Sequence, residues 1–271
     1  MKGLVRRALL EDVGSGDITT NSIVSKNQKA KAIIVAKEAG VIFGLKVVKE
    51  VFRQVDRSIK MIERLREGEM VREGQVVAEI SGPARGILTG ERVALNFLQQ
   101  LSGIATLTNQ FVARVKGQGA RILDTRKTTP GLRLLEKAAV KAGGGTNHRI
   151  GLFDAVLIKD NHIEAAGGIK EAVESIRVKR RNKWIEVEAK TVTEVKEAIE
   201  ERADRILLDN MDLKTLRQAV KLCKKAKIET EASGGVNLKS VKSIAKTGVD
   251  YISVGALTHS ARALDVCLKI V

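Results

Sequence analysis

Arg121-Ile122-Leu123-Asp124, Ala155-Val156-Leu157-Ile158, Trp184-Ile185-Glu186-Val187, Arg205-Ile206-Leu207-Leu208, Ile228-Glu229-Thr230-Glu231 and Tyr251-Ile252-Ser253-Val254 are six short runs rich in β-branched and large apolar residues. Each is followed by a polar or glycine-bearing break and then by a helical period, over residues 132–142, 168–179, 193–202, 213–225, 238–246 and 258–270. Strands this short alternating with helices of about ten residues predict parallel β/α units. Six such units in tandem predict an α/β fold, an incomplete parallel β/α barrel of about six strands where eight is the usual count.

The first 103 residues follow another pattern. Strand-like runs at 31–37, 58–64 and 75–80 are separated by glycine breaks, and a long helical period begins near residue 89. This predicts an N-terminal α+β domain over 1–103 and a barrel domain over 104–271, with the last helix, 258–270, packing back on the N-terminal domain. Residues 67–80 look like half of a biotinyl or lipoyl carrier hairpin, but no lysine sits in the tight turn that carriers modify, so the glycines read as turns. Only Pro83 and Pro130 occur, and no Pro/Gly/Ser-rich linker divides the halves.

Composition removes several classes of function. The 271 residues are 44% hydrophobic and 30% charged, which is the balance of a globular protein. No apolar run approaches the ~18 residues of a membrane span, and residues 1–13 lack the apolar stretch of a secretory signal. Cys223 and Cys267 have no metal-ligand spacing and read as small buried side chains, which together with the missing signal predicts a cytoplasmic protein. Lys and Arg (48) exceed Asp and Glu (32) by 16 charges, which suits a polyanionic partner. Five Phe, one Tyr and one Trp are too few to build stacking platforms for single-stranded nucleic acid, so small polyanions are favoured. The densest basic run, 177–183, reads as the solvated end of a helix.

In a β/α barrel, chemistry gathers in the loops after the strands, because those loops converge on one mouth. Here they hold Thr125-Arg126-Lys127, Lys159-Asp160-Asn161-His162, Glu188, Asp209-Asn210, Ser233-Gly234-Gly235 and Gly255-Ala256. Ser233, Gly234, Gly235, Gly255 and Ala256 are each expected to lead into a helix whose exposed amides hold a phosphate. Glu188 and Asp209, ending neighbouring strands, offer hard oxygen ligands to Mg²⁺. Arg126, Lys127, His148, Arg149 and Lys159 gather positive charge around the flexible-looking Gly143-Gly144-Gly145 and predict a multiply charged anionic substrate. Arginine's planar fork suits carboxylates. On the long helix, Arg92, Asn96 and Gln99 form one stripe while apolar residues cover the rest, which predicts an interface with Arg92 projecting into it.

Glu11-Asp12-Val13-Gly14-Ser15-Gly16-Asp17, Glu91-Arg92-Val93-Ala94-Leu95-Asn96, Asp124-Thr125-Arg126-Lys127-Thr128-Thr129-Pro130-Gly131, Gly143-Gly144-Gly145-Thr146-Asn147-His148-Arg149, Leu157-Ile158-Lys159-Asp160-Asn161-His162, Glu231-Ala232-Ser233-Gly234-Gly235 and Gly255-Ala256-Leu257-Thr258-His259-Ser260 mark the chain further. With these motifs it resembles the quinolinate phosphoribosyltransferase family over nearly its whole length. One departure is Glu188-Ala189-Lys190, where the family pattern leads one to expect a second acid or amide soon after the first glutamate.

The resemblance implies phosphoribosyl transfer from phosphoribosyl pyrophosphate to quinolinate with decarboxylation, giving nicotinate mononucleotide, pyrophosphate and CO₂ with Mg²⁺, in NAD biosynthesis. It implies that Thr125, Arg126, Lys127, His148, Arg149 and Lys159 bind quinolinate, with Arg92 reaching in from a neighbouring subunit of a homodimer or larger homo-oligomer. It places the phosphate on Ser233, Gly234, Gly235, Gly255, Ala256 and His259, the Mg²⁺ on Glu188 and Asp209, and catalysis on Lys127, Lys159, Glu188 and Asp209. Three rivals stand beside it: a nicotinate-using phosphoribosyltransferase, which needs fewer cations, a Schiff-base enzyme acting through Lys159, and a nucleic-acid binder.

Overall fold

The computed structural model describes residues 1–180 and 183–271; Arg181 and Asn182, within the basic run 177–183, lie outside the described residues. The chain opens with α1 (Lys2–Val13) and α2 (Ile18–Ile23). Asp17 starts α2 by accepting the Thr20 amide at 2.9 Å, which satisfies a donor that a helix start leaves without a partner. Then come β1 (Lys29–Ala36), the short β2 (Gly40–Val41) and α3 (Leu45–Val55), which buries Val47, Val48, Val51 and Phe52. β3 (Lys60–Glu63), β4 (Met70–Val71) and β5 (Val76–Pro83) lead into α4 (Ala84–Val115), which begins earlier than its apolar period predicted. Gly68 and Gly74 turn the chain beside β4 with φ of 87° and 79°, as expected of turn glycines.

The six predicted strands follow, interleaved with helices. They are β6 (Arg121–Leu123), then α5 (Arg133–Ala142); β7 (Val156–Ile158), then α6 (Asp160–Ala166) and α7 (Ile169–Lys179); and β8 (Ile185–Ala189), then α8 (Val192–Glu200). After them come β9 (Arg205–Asp209) and α9 (Leu213–Ala226), β10 (Glu229–Ser233) and α10 (Val241–Ala245), β11 (Tyr251–Ser253) and α11 (Ala256–His259), and last β12 (Val266–Ile270). The parallel sheet runs β6-β11-β10-β9-β8-β7. Successive strands are therefore neighbours, and the last parallel strand pairs with the first, which is the order of a barrel. β6 and β7 share no ladder, and beside β6 there is only the single bridge from Leu123 to Thr146, so the barrel is incomplete. Arg177, Val178, Lys179, Arg180 and Lys183 are exposed, as expected of a solvated helix end, and the Arg177 guanidinium also donates to the carbonyls of Glu201 and Arg202 at 2.9 and 2.8 Å.

The chain divides into two compact units that are discontinuous in sequence. The first takes Met1–Asn109, Pro130–Gly144 and Ala261–Val271, and the second Gln110–Thr129 and Gly145–Ser260. The sequence reading placed a single cut after residue 103 and kept α5 with the barrel, while expecting the C-terminal segment to pack back on the first unit, where Ala261–Val271 lies.

Two helices need correction. The helix expected over 258–270 is a four-residue turn of helix, α11, followed by β12, which pairs antiparallel with β1 in the sheet β12-β1-β5-β3. The α-helical reading lost because Val266-Cys267-Leu268 presents β-formers to an open edge, with Leu268 opposite Ile34. Gln99 secures the segment by donating to the Val266 carbonyl at 2.9 Å while its own carbonyl accepts the Leu264 amide at 2.9 Å. The helix expected over 238–246 spans only five residues. Cys267, on β12, is half-buried, whereas Cys223 is fully buried with its thiol pushed up to about 11 by burial.

Gly143 is not a flexible joint. It is buried within the first unit, and a Cβ there would lie 2.3 Å from the Ala105 carbonyl oxygen, so the glycine permits a close approach of two backbones. Gly103 on α4 is tighter still, since a Cβ would meet the Arg262 carbonyl at 2.1 Å. Gly103→Ala is therefore expected to push the C-terminal segment off its seat. Stability should fall by about 1–3 kcal/mol, the usual effect of overpacking, and residues 261–271 should become the first site of limited proteolysis. A Gly103→Ala protein with the wild-type melting temperature and cleavage pattern would disprove this seating.

Candidate active site

The second unit carries a cavity of about 650 Å³, lined from the C-terminal ends of all six parallel strands and the loops beyond them. That is where parallel β/α units converge, and the volume lies in the usual range of small-molecule sites. Thr125, Arg126 and Lys127 come from the loop after β6, His148 and Arg149 from the loop before β7, and Lys159 from the end of β7. Glu188 ends β8, Asp209 ends β9, Ser233, Gly234 and Gly235 follow β10, and Gly255, Ala256 and His259 follow β11. Every residue that the resemblance assigned to the site lines this cavity except Arg92, which is exposed on α4 in the first unit; Asn161 and His162, named with the mouth loops, are not in the lining.

The glycine turns differ from expectation. The Ser233-Gly234-Gly235 turn does not run directly into a helix, since α10 begins only at Val241, and α11 has four residues. What remains for an anion is the set of turn amides rather than a long helix dipole. Gly234 (φ 100°) and Gly235 (φ 57°) take conformations suited to glycine, and a Cβ on Gly234 would lie 2.1 Å from the Asn210 side-chain oxygen. Across the mouth, Gly255 lets the Lys127 stem pass, for a Cβ there would be 2.9 Å from Lys127 Cδ. Thr258 Oγ1 donates to the Lys127 carbonyl at 2.6 Å and fixes that loop.

The cationic wall is partly buried. Arg149 is only 9% exposed, donates from one terminal nitrogen to the Ala155 carbonyl at 3.3 Å, and finds no partner for Nε among the described residues. Burial first, and then the charge of Arg126, hold its pKa below the usual value. The charges of Glu186 and Asp154 oppose that shift, and guanidiniums at a cavity wall can take a further anion. The opposite wall is acidic. Burial, then the charges of Asp209 and Asp160, raise the pKa of Glu188, while Lys159 and Lys190 oppose the rise. Carboxylates that end neighbouring strands at one mouth are hard oxygen donors suited to a divalent cation, and Glu188 and Asp209 fit Mg²⁺ on that ground. Lys190, the departure noted in the sequence, is spent on Asp160 at 2.7 Å.

Beneath the cavity lies a charged column that the sequence reading missed. His148 Nε2 sits 3.0 Å from Glu186 and 3.4 Å from Glu231, and Arg205 reaches Glu231 at 3.4 Å and Glu229 at 2.8 Å. The Arg205 guanidinium lies 4.7 Å from the centroid of Trp184 and 3.9 Å from that of Tyr251, so the chain's one Trp and one Tyr both contact it. His148 thus lines the cavity but turns its ring into the barrel. Burial opposes its protonation, yet the hydrogen bonds and charges of the two glutamates push its pKa up to about 9. The Arg149 amide, 2.7 Å from Nδ1, asks instead for a bare nitrogen there. We favour the contact, because the acid pair can hold the second proton: burial and Glu231 raise Glu186, while His148 overcomes burial to lower Glu231. The signal that would have found the column is period two, since Glu186 and Glu188 share one face of β8, as Glu231 and Ser233 share one face of β10.

Comparison with known proteins agrees with this architecture. The chain matches the family described as quinolinate phosphoribosyl transferase, through its N-terminal domain over residues 17–102 and its C-terminal domain over residues 104–269. It is 47% identical to a probable nicotinate-nucleotide pyrophosphorylase [carboxylating] of Bacillus subtilis, covering 100% of this chain and 93% of the relative. It is 44% identical to the chloroplastic nicotinate-nucleotide pyrophosphorylase [carboxylating] of Arabidopsis thaliana, with coverage of 100% and 82%. The solved nicotinate-nucleotide pyrophosphorylase of Francisella tularensis superposes with a TM-score of 0.96 at 41% identity, over 100% of this chain and 95% of that one. With both domains matched in order, the chain belongs to the quinolinate phosphoribosyl transferase family.

Proposed function

We propose that this protein transfers the phosphoribosyl group of phosphoribosyl pyrophosphate to quinolinate and releases CO₂ and pyrophosphate, forming nicotinate mononucleotide for NAD biosynthesis. The observation that carries the reading is the burial of Arg149 beside the like charge of Arg126 in the cavity that also holds Glu188 and Asp209. A pyridine diacid brings two negative charges to a mouth that also holds Lys127 and Lys159, and nicotinate brings one, so the cationic lining supports the dicarboxylate.

The pyridine nitrogen is already a nucleophile, so the first step needs alignment more than a base. Arg126, Arg149 and Lys159 orient the two carboxylates, and Thr125 closes the same wall. The Ser233-Gly234-Gly235 and Gly255-Ala256 turns, with His259, hold the 5-phosphate. Glu188 and Asp209 would hold Mg²⁺, which when bound offsets charge on the departing pyrophosphate. As the nitrogen bonds to the ribosyl carbon and the bond from that carbon to the pyrophosphate oxygen breaks, positive charge develops on the sugar, where the acidic wall stabilises it. The quaternised ring then draws in the electron pair of the adjacent carbon–carboxylate bond. CO₂ leaves, and the carbanion takes a proton while Lys127 or Lys159 steadies it.

Arg92 completes a neighbouring subunit's site in a homodimer or larger assembly. Its exposure on a helix otherwise buried over Val93, Leu95, Phe97 and Leu98 supports that reading. No helix among the described residues is long and apolar enough to cross a membrane, and together with two unpaired cysteines this supports a cytoplasmic setting.

Incubation of the purified protein with quinolinate, phosphoribosyl pyrophosphate and Mg²⁺ should yield nicotinate mononucleotide and CO₂ in equal amounts, and chelation of the metal should stop it. Absence of both products with the folded wild-type protein refutes the reading. Glu188→Gln is expected to lower kcat at least about a hundredfold, the scale of losing an electrostatic stabiliser. Arg149→Ala should instead raise the quinolinate KM about tenfold or more, as loss of one charge-assisted contact does. Mixing inactive Arg92→Ala with inactive Glu188→Gln should restore part of the activity, because a mixed dimer has one intact site. If the mixture stays inactive although subunits exchange, Arg92 acts elsewhere.

A further inference from the structure

Glu186, Glu231 and Arg205 have no part in the chemistry above, although Glu186 and Glu231 are among the most deeply buried charges in the barrel, at 0% and 1% exposed. Buried ions are poor stabilisers, since apolar residues of like volume usually serve a core as well or better. Their use is to be sought in what they hold. Both acids converge on one atom, His148 Nε2, and the other ring nitrogen of His148 accepts the Arg149 amide. The His148 amide in turn donates to Asp124 Oδ1 at 2.9 Å. The backbone at 148–149 is therefore pinned through a ring and two amides, while the Arg149 guanidinium itself has one long hydrogen bond, to Ala155. The precision of that guanidinium comes from its root.

Resting on the reading of the cavity as a quinolinate site, we propose that Glu186, Glu231 and Arg205 are positioning residues that act through the His148 ring to set the Arg149 backbone, and with it the arginine that meets the substrate's carboxylates. Arg205 keeps the two acids together from below, held in turn by Trp184, Tyr251 and Glu229. The metal-like grouping of His148, Glu186 and Glu231 has this role instead of binding an ion, because Arg205 already supplies the cation. The turns after β10 and β11, proposed above for the 5-phosphate, belong to other loops than the one that carries His148 and Arg149.

The test is a split between the two substrates, read with the full-length protein. Glu186→Ala should raise the quinolinate KM about tenfold, equivalent to about 1.4 kcal/mol, with the phosphoribosyl pyrophosphate KM within about twofold of wild type. Glu186→Gln, which keeps an acceptor for Nε2 but not the charge, should rescue most of the loss and leave a rise of about threefold. Glu200→Gln, at an exposed glutamate on α8 outside this group, should leave both values within about twofold. If Glu186→Ala does not fold, as judged by circular dichroism, Glu186→Gln decides alone by the ratio of its two KM shifts. Equal shifts for both substrates, or folded variants unchanged within about twofold, overturn the proposal. A wild-type protein that forms no nicotinate mononucleotide overturns the functional reading instead, so the two failures are distinct.

Discussion

Two carboxylates and one guanidinium shut inside a barrel are the constraint around which the second unit is arranged. Glu186 lies opposite Arg205 in the pairing of β8 with β9, and Glu229 lies opposite the same arginine in the pairing of β10 with β9. Removing one member of such a group leaves an uncompensated buried charge, typically a loss of about 3–5 kcal/mol, whereas the intact group contributes little net stability. The strands are thus tied to one register by their ions, and the mouth above inherits that register. Leu207 and Leu157 line the cavity, so its side chains meet both apolar surface and charge.

The cavity draws its cations and its carboxylates largely from different strands. Arg126, Lys127, Arg149 and Lys159 come from the loops beside β6 and β7, the two edge strands of the open barrel, while Glu188 and Asp209 end β8 and β9. Because parallel strands all end at one level, strand order becomes a map of potential across the mouth. A substrate pair that is anionic at both ends and cationic in its transition state matches such a map. The chain's excess of 16 positive charges is consistent with attraction of polyanions, but the local order carries the selectivity.

The barrel was legible because its signal is repetitive. Six apolar runs at similar spacing leave little freedom, and the polar residue just beyond each run marks the mouth without further information. The cationic wall was legible for the same reason. The column of Glu186, Glu231 and Arg205 was overlooked because a glutamate inside a strand reads as a solvent-facing residue unless one knows that both faces of that strand are covered. All five residues of β8 are in fact buried. His148 was placed correctly at the mouth, but the direction of its ring depends on strands far off in sequence. The end of the chain was misread because Val266 to Ile270 carries both a helical and an extended pattern, and only a waiting edge on β1 decides between them.

That edge has a bearing on how the molecule is made. β1 is among the first strands to leave the ribosome, but its partner on one side, β12, is translated after the whole parallel sheet. During synthesis β1 therefore presents unpaired amides and carbonyls flanked by Ile33, Ile34 and Val35, the kind of surface that recruits foreign strands. Lys29, Lys31 and Lys37 stand around it, and their mutual repulsion discourages two nascent chains from pairing there before the proper closing strand arrives.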